Sequence, residues 1–286
     1  MFDTLSRSWE YAKTSYALLW THKHLIVLPL LAGIAALVVM ATFALPLWQS
    51  GTIDQWAAQA DAQNGNRAMM YVTMFAFYVC NYFVIVFFNT ALVACAMQAL
   101  AGERPTLGYG LGVAWRRFGP IFGWAVVSAV IGVLLRAIEN SNKRAAQFVS
   151  ALLGMAWTAM TYLVVPVIAV EGVGPVKAFK RSLAVLRQTW GTALVGNFSL
   201  GLLSFLVMLP VILIAVALIY LGVVSGSAFA TAFYIAVATI LLALAIAFSS
   251  AADVVFKAIL FSYATGRKLP ADISTRELSD AFTPRQ

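Results

Sequence analysis

Residues 176–191 read VKAFKRSLAVLRQTWG. Lys177, Lys180, Arg181 and Arg187 sit inside this stretch, yet long apolar runs precede and follow it. Wound as a helix, Val176, Phe179, Leu183, Leu186 and Trp190 recur at steps of three and four and make one apolar stripe. The basic residues and Gln188 fall largely off that stripe. Gly174 and Pro175 come just before, and proline suits the first turn of a helix. The segment is too short and too polar to cross a bilayer. It predicts a helix lying in the membrane interface, with its apolar face in the acyl boundary and its basic face toward phosphates. The competing reading is a basic connecting helix packed on its own bundle.

The surroundings set the solvent. Of the 286 residues, 62% are hydrophobic and 10% charged, and the mean hydropathy is +0.87. Soluble domains carry about 45–50% apolar and about 25% charged residues. The chain is therefore expected to be an integral membrane protein, with no loop long enough to fold alone. The net charge is +8. Because the cations flank apolar segments, anionic headgroups rather than nucleic acid are the expected partner. The first apolar run is long enough to span and no small-residue cleavage site closes it, so it reads as a retained helix.

Six segments pass the length test for a span, at about 25–48, 69–100, 119–138, 148–170, 192–222 and 227–262. The expected fold is all-α, a polytopic membrane bundle of six transmembrane helices with amphipathic interfacial helices. Pro29, Pro46, Pro166 and Pro210 fall within or at the ends of spans, where proline is tolerated. Orientation follows from the cations. One side holds Arg7, Lys13, Lys23, Arg104, Arg116, Arg117, Lys177, Lys180, Arg181, Arg187, Lys257, Arg267, Lys268, Arg276 and Arg285. The other holds Arg67, Arg136, Lys143 and Arg144. Both termini are expected in the cytoplasm.

The opening stretch has relatives within the chain. Residues 5–20, LSRSWEYAKTSYALLW, repeat its grammar, with Arg7-Ser8 matching Arg181-Ser182, Lys13 matching Arg187 and Tyr16 matching Trp190 at a single offset. Residues 106–120, TLGYGLGVAWRRFGP, form a third copy. The even spans also end alike, at Gly102 then Pro105, Gly172 then Pro175, and Gly266 then Pro270. Glycine stops a helix and proline bars its continuation. The chain thus reads as a threefold internal repeat of interfacial helix, span and span, at about 1–102, 103–172 and 173–266. These repeats make one transmembrane domain, 1–266, followed by a polar cytoplasmic tail, 267–286.

The stretches LSRSWEYAKTSYALLW, LIVLPLLAG and PVKAFKRSLAVLRQTW resemble a widespread family of uncharacterised six-span bacterial membrane proteins. More loosely, the repeated basic-aromatic helix is similar to the membrane domain fused to some glycerophosphodiester phosphodiesterases. The first resemblance implies six spans and a bacterial inner membrane. Neither implies a catalytic residue, because the soluble phosphodiesterase domain is absent.

The search for chemistry is short. Cys80 and Cys95 are about 22 Å apart along one helix, beyond disulfide reach. His22 and His24 point to different faces, so no metal site is expected. No nucleotide, zinc or nucleophile motif occurs, no cofactor is expected, and the protein is read as non-enzymatic. Of the Gly108/Gly112, Gly119/Gly123 and Gly222/Gly226 pairs, only Gly119/Gly123 is singled out for close helix packing. Polar residues inside spans carry more information, because each is costly without a partner. Asp253 and Lys257 are four apart and should pair. Asn89 stands as far before Gly102 as Asp253 does before Gly266, and Gln98, Asn81, Ser249 and Ser250 add polar atoms. Asn89, Gln98, Asp253 and Lys257 are the candidates for a polar cavity, with packing as the competing reading. Arg136 and Glu139 should pair at the end of span three.

Two functions compete. One is small-solute or lipid transport through the polar cavity. The other is a lipid- or partner-binding scaffold, holding anionic headgroups of the cytoplasmic leaflet through Arg7, Lys13, Arg116, Arg117, Lys177, Lys180, Arg181 and Arg187. Beyond lipid, a partner membrane subunit or a second copy of the chain is the expected company.

Overall fold

The computed structural model describes residues 13–52, 55, 56, 68–139 and 144–267, without the side chains of 144, 145, 188–200 and 203. Every regular element among them is helical. Residues 13–21 form α1, and a 3-10 turn at Lys23–Ile26 leads into α2, Val27–Gln49. Then come α3, Ala68–Leu100; α4, Leu107–Arg116; and α5, Phe118–Glu139. They are followed by α6, Arg144–Met160; α7, Val164–Glu171; α8, Pro175–Val224; and α9, Ala228–Ala264. Six stretches are long and apolar enough to cross a bilayer: Lys23–Gln49, Ala68–Leu100, Phe118–Glu139, Ala146–Glu171, Ser204–Val224 and Ala228–Ala264. The protein is an all-α polytopic membrane protein. Arg7, Arg67, Lys143 and everything beyond Arg267 lie outside the described residues.

The glycine stops are built as their residues require. Gly102, Gly172 and Gly266 have φ of 78°, 65° and 65°, a left-handed conformation that costs little only for glycine. At the first, the Glu103 N–H reaches the Gln98 carbonyl at 3.0 Å and the Gly102 N–H reaches Ala99 at 3.0 Å. At the third, Arg267 reaches Ser262 and Gly266 reaches Tyr263, each at 3.0 Å. Both are the same six-to-one closure of a helix end. At the second, a single bond of 3.0 Å joins the Gly172 N–H to Ile168.

Two boundaries differ from the sequence reading. Span four is broken at residues 161–163 into α6 and α7. Pro166 has no N–H to offer the Tyr162 carbonyl and its ring crowds that carbonyl, so the helix restarts just before it. Conversely, the basic stretch 176–191 and span five are one 50-residue helix, α8, about 75 Å long if straight. Gly191 alone does not stop a helix, and no proline stands between Pro175 and Pro210. Pro46 and Pro210 both sit inside helices that continue through them.

The chain forms two bodies. The first gathers described residues within Met1–Leu30, Cys95–Leu107 and Val185–Gln286. Its core is Leu19, Leu25, Leu28, Cys95, Leu100, Val255, Phe256 and Phe261, all buried. Tyr16 and Trp20 of α1 lie against Phe248, with ring centroids at 5.3 and 6.3 Å, and the Tyr16 and Ser204 hydroxyls bond at 2.9 Å. Between 204 and 246 only the small residues Ala215, Gly222 and Ala238 are buried. There the helices α8 and α9 are joined by the Thr231 hydroxyl, which donates to the Gly222 carbonyl at 2.8 Å.

The second body gathers residues within Leu31–Ala94 and Gly108–Ala184. Its core holds Val86, Ala91, Leu92, Val93, Ala114, Ile121, Trp124, Leu163, Val167, Ile168 and Ala178. Phe83 meets Phe118 at 5.1 Å, and Trp124, Trp157 and Phe179 stack in a column with spacings of 5.7 and 5.9 Å.

Candidate functional site

The cationic candidates are best placed on the first turns of α8. Ala178, Ser182, Val185 and Leu186 are buried, while Lys177, Lys180, Arg181 and Arg187 are exposed. The buried line is rotated from the expected stripe: Val176, placed there by its spacing, is 65% exposed. Residues 178, 179 and 182 pack on protein of their own body rather than lying free in an acyl boundary. Phe179 stacks on Trp157. The Ser182 hydroxyl donates to the Met160 carbonyl at 3.1 Å and accepts from the Leu163 N–H at 3.2 Å, bridging the break between α6 and α7. Arg181 pairs with Glu171 at 2.9 Å. No carboxylate among the described residues pairs with Lys177, Lys180 or Arg187. The packed reading thus holds for one face, and the opposite face presents a row of cations.

The remaining cations divide. Arg116 is exposed at the end of α4, whose buried residues are Gly110, Val113 and Ala114. Arg117 is turned inward: a Cβ built on Gly172 would fall within its guanidinium. Its charge therefore stands at the carboxyl end of α7, where the helix dipole favours a cation. Lys13 is exposed on α1, and Arg7 lies outside the described residues.

Of the polar candidates, Gln98, Asp253 and Lys257 belong to the first body and Asn89 to the second. Asp253 and Lys257 pair at 2.6 Å, as their spacing requires. Gln98 belongs to the Gly102 stop: its Nε2 donates to Glu103 at 3.1 Å, while its Oε1 is buried without a partner. Asn89 is half-buried in the second body, beside Thr90, whose hydroxyl is buried and unbonded. Thr42, Thr158, Thr161, Thr231, Thr239 and Thr265 all donate to the carbonyl four residues back. Thr90 and Ser249 leave their buried hydroxyls unused.

Elsewhere, Arg136 pairs with Glu139 at 2.9 Å. His24 donates to the Pro105 carbonyl at 2.9 Å and His22 to Leu18 at 3.2 Å, while Lys23 lies over the Trp20 ring. Among the described residues, no group of three His, Cys, Asp or Glu comes together. Of the glycines, Gly123 admits Pro175, its absent Cβ standing 3.3 Å from that ring, but Gly119 touches nothing. The tightest approach to another helix's backbone is at Gly222, where a Cβ would stand 3.0 Å from the Thr231 Cα. Sequence reasoning passed over Gly222 and Ser182. A hydroxyl lying among the apolar positions of a helix was the available signal for the second.

Six apolar helices and a cationic row define a multi-pass membrane protein. The chain belongs to DUF6159, a family of unknown function, which it matches over residues 68–269. No curated protein matches it.

Proposed function

We propose that this is a non-catalytic protein of a bacterial inner membrane, both termini cytoplasmic, that engages anionic lipid headgroups through its cation rows. The carrying observation is the division of residues 175–187. One face is held by Phe179 and Ser182 against the protein, so the geometry of the other is fixed. Lys177, Lys180 and Arg187 project from it, and Arg116 is likewise exposed at the end of α4. A juxtamembrane cation near an anionic leaflet is worth about 1 kcal/mol. In nanodiscs, phosphatidylglycerol should be enriched around the protein over phosphatidylcholine. The Lys177→Glu/Lys180→Glu variant should lose most of that enrichment while keeping its melting temperature. Equal lipid preference in the variant removes the reading.

A second reading, transport of a small solute, is favoured by a different observation. In the run 251–262 of α9, Asp253 and Lys257 alone are not buried. Charges at an opening in an otherwise enclosed membrane helix are the mark of a polar path. Proteoliposome flux that survives Asp253→Ala unchanged would dismiss it.

A further inference from the structure

From Ala251 to Ser262, α9 is enclosed at every position except two. The exceptions, Asp253 and Lys257, lie one turn apart on the same face, with side chains 39% and 25% exposed. One turn further from the Gly266 stop, the same face carries Ser249, whose Oγ is buried and unbonded. An accessible strip, an ion pair and an unsatisfied hydroxyl thus fall in one line of about 12 Å. Packing alone explains the ion pair. It explains neither why the enclosing protein opens only there nor why Ser249 forgoes the carbonyl of Ala245 that helical threonines of this chain use.

We propose that this strip is a binding site for a small zwitterion carrying one ammonium and one carboxylate or phosphate. The inference rests on the transport reading and gives its substrate class. The strip has no net charge, so a lone anion meets Lys257 but is repelled by Asp253, and a lone cation the reverse. A zwitterion inserted between the two replaces one ion pair by two. The order of groups fixes its orientation. The Asp253 carboxylate accepts from the ammonium, joined by Ser249 Oγ once that buried hydroxyl turns outward, and Lys257 Nζ, nearer Gly266, receives the anionic group. The same chemistry occurs in free solutes and in ethanolamine headgroups.

The test uses the full chain in nanodiscs. In phosphatidylglycerol discs, equilibrium binding is measured for L-alanine and phosphoethanolamine, with acetate and methylammonium as single-charge controls. A second arm replaces half the lipid by phosphatidylethanolamine and follows its retention by native mass spectrometry. A soluble zwitterion binding at least tenfold tighter than both controls, or selective retention of phosphatidylethanolamine, is the expected result and names the source. Asp253→Asn and Lys257→Gln should each weaken it tenfold or more, and Ser249→Ala severalfold, with melting temperatures kept as the control for folding. Controls binding as tightly as zwitterions, binding indifferent to Asp253→Asn and Lys257→Gln, or no binding in either arm overturns the proposal. Asp253-dependent flux of a singly charged solute without zwitterion binding would leave the transport reading standing and this inference fallen. Zwitterion binding without flux would do the opposite.

Discussion

Replacing Gly172 by alanine tests how the carboxyl end of α7 is made. Two costs are separable there. The first is the left-handed backbone, φ 65°, which charges any residue with a Cβ about 1–2 kcal/mol. The second is local: the new methyl would occupy the space of the Arg117 guanidinium, which must swing out. Losing a cation at a helix carboxyl end removes about 0.3–1 kcal/mol more. Gly102 and Gly266 share the backbone cost, but a Cβ on either meets nothing within 4 Å. The expected order is therefore Gly172→Ala worse than Gly102→Ala and Gly266→Ala by up to about 1 kcal/mol, or about 2–4 °C in melting temperature on the scaling of larger domains. Thermal unfolding in one detergent, scored by monodisperse fraction, measures it. A double-mutant cycle supplies the decisive arm. In the Arg117→Ala background the excess at Gly172 should vanish. If Gly172→Ala melts with the other two, or the excess survives loss of Arg117, then Arg117 does not cap α7.

Other substitutions read other contacts. Ser182→Ala removes both bonds across the α6–α7 break and leaves a buried N–H, so stability should fall by about 1–3 kcal/mol in the same melting assay. Gly222→Ala drives a methyl into the Thr231 backbone and should cost about 1–3 kcal/mol, whereas Gly119→Ala, facing open space, should be near neutral. Trp157→Leu interrupts the Trp124–Trp157–Phe179 column and should cost about 1–3 kcal/mol from two ring pairs of about 0.5–1.5 kcal/mol each, visible also as a loss of near-ultraviolet circular dichroism.

The parts that could be read in advance are those governed by local rules. Span length follows from the thickness of hydrocarbon, so all six apolar runs lie in helix, although the fourth is broken in two and the fifth continues a helix begun at Pro175. Gly102, Gly172 and Gly266 announced helix ends because only glycine takes φ near 65° without strain. Asp253–Lys257 and Arg136–Glu139 were given by a spacing of one turn. The failures share a cause, for each depends on what stands opposite in space. Nothing within residues 176–191 tells whether their apolar side meets lipid or Trp157. Nothing near Arg117 announces that Gly172 will take its guanidinium. The break before Pro166 was half-announced, since proline forbids a bond but does not say whether the helix bends or restarts. Ser182, filling the gap from another element, decides that. Asn89 and Asp253 match in sequence position and fall in different bodies.

Burial along α9 shows what this chain asks of its bilayer. From residue 228 to 246 the helix is almost wholly apolar, and every residue but Ala238 is exposed or half-exposed. In water such a surface would have to be covered, but in lipid it needs no partner. From 251 to 262 the helix is apolar too, yet enclosed by protein. Hydrophobicity cannot drive that enclosure when the surrounding lipid is equally apolar. What distinguishes the enclosed half is the polar matter gathered near it. In the first body these are the Gly102 and Gly266 stops, the Gln98 amide, the His24–Pro105 bond and the Asp253–Lys257 pair. Open helix ends and amide groups are costly in hydrocarbon and are satisfied when protein surrounds them. The enclosed half is thus the half that must manage polar groups. An accessible strip left within it, at Asp253 and Lys257, is where covering would have been most favoured on packing grounds alone, which is why that opening is read as a site.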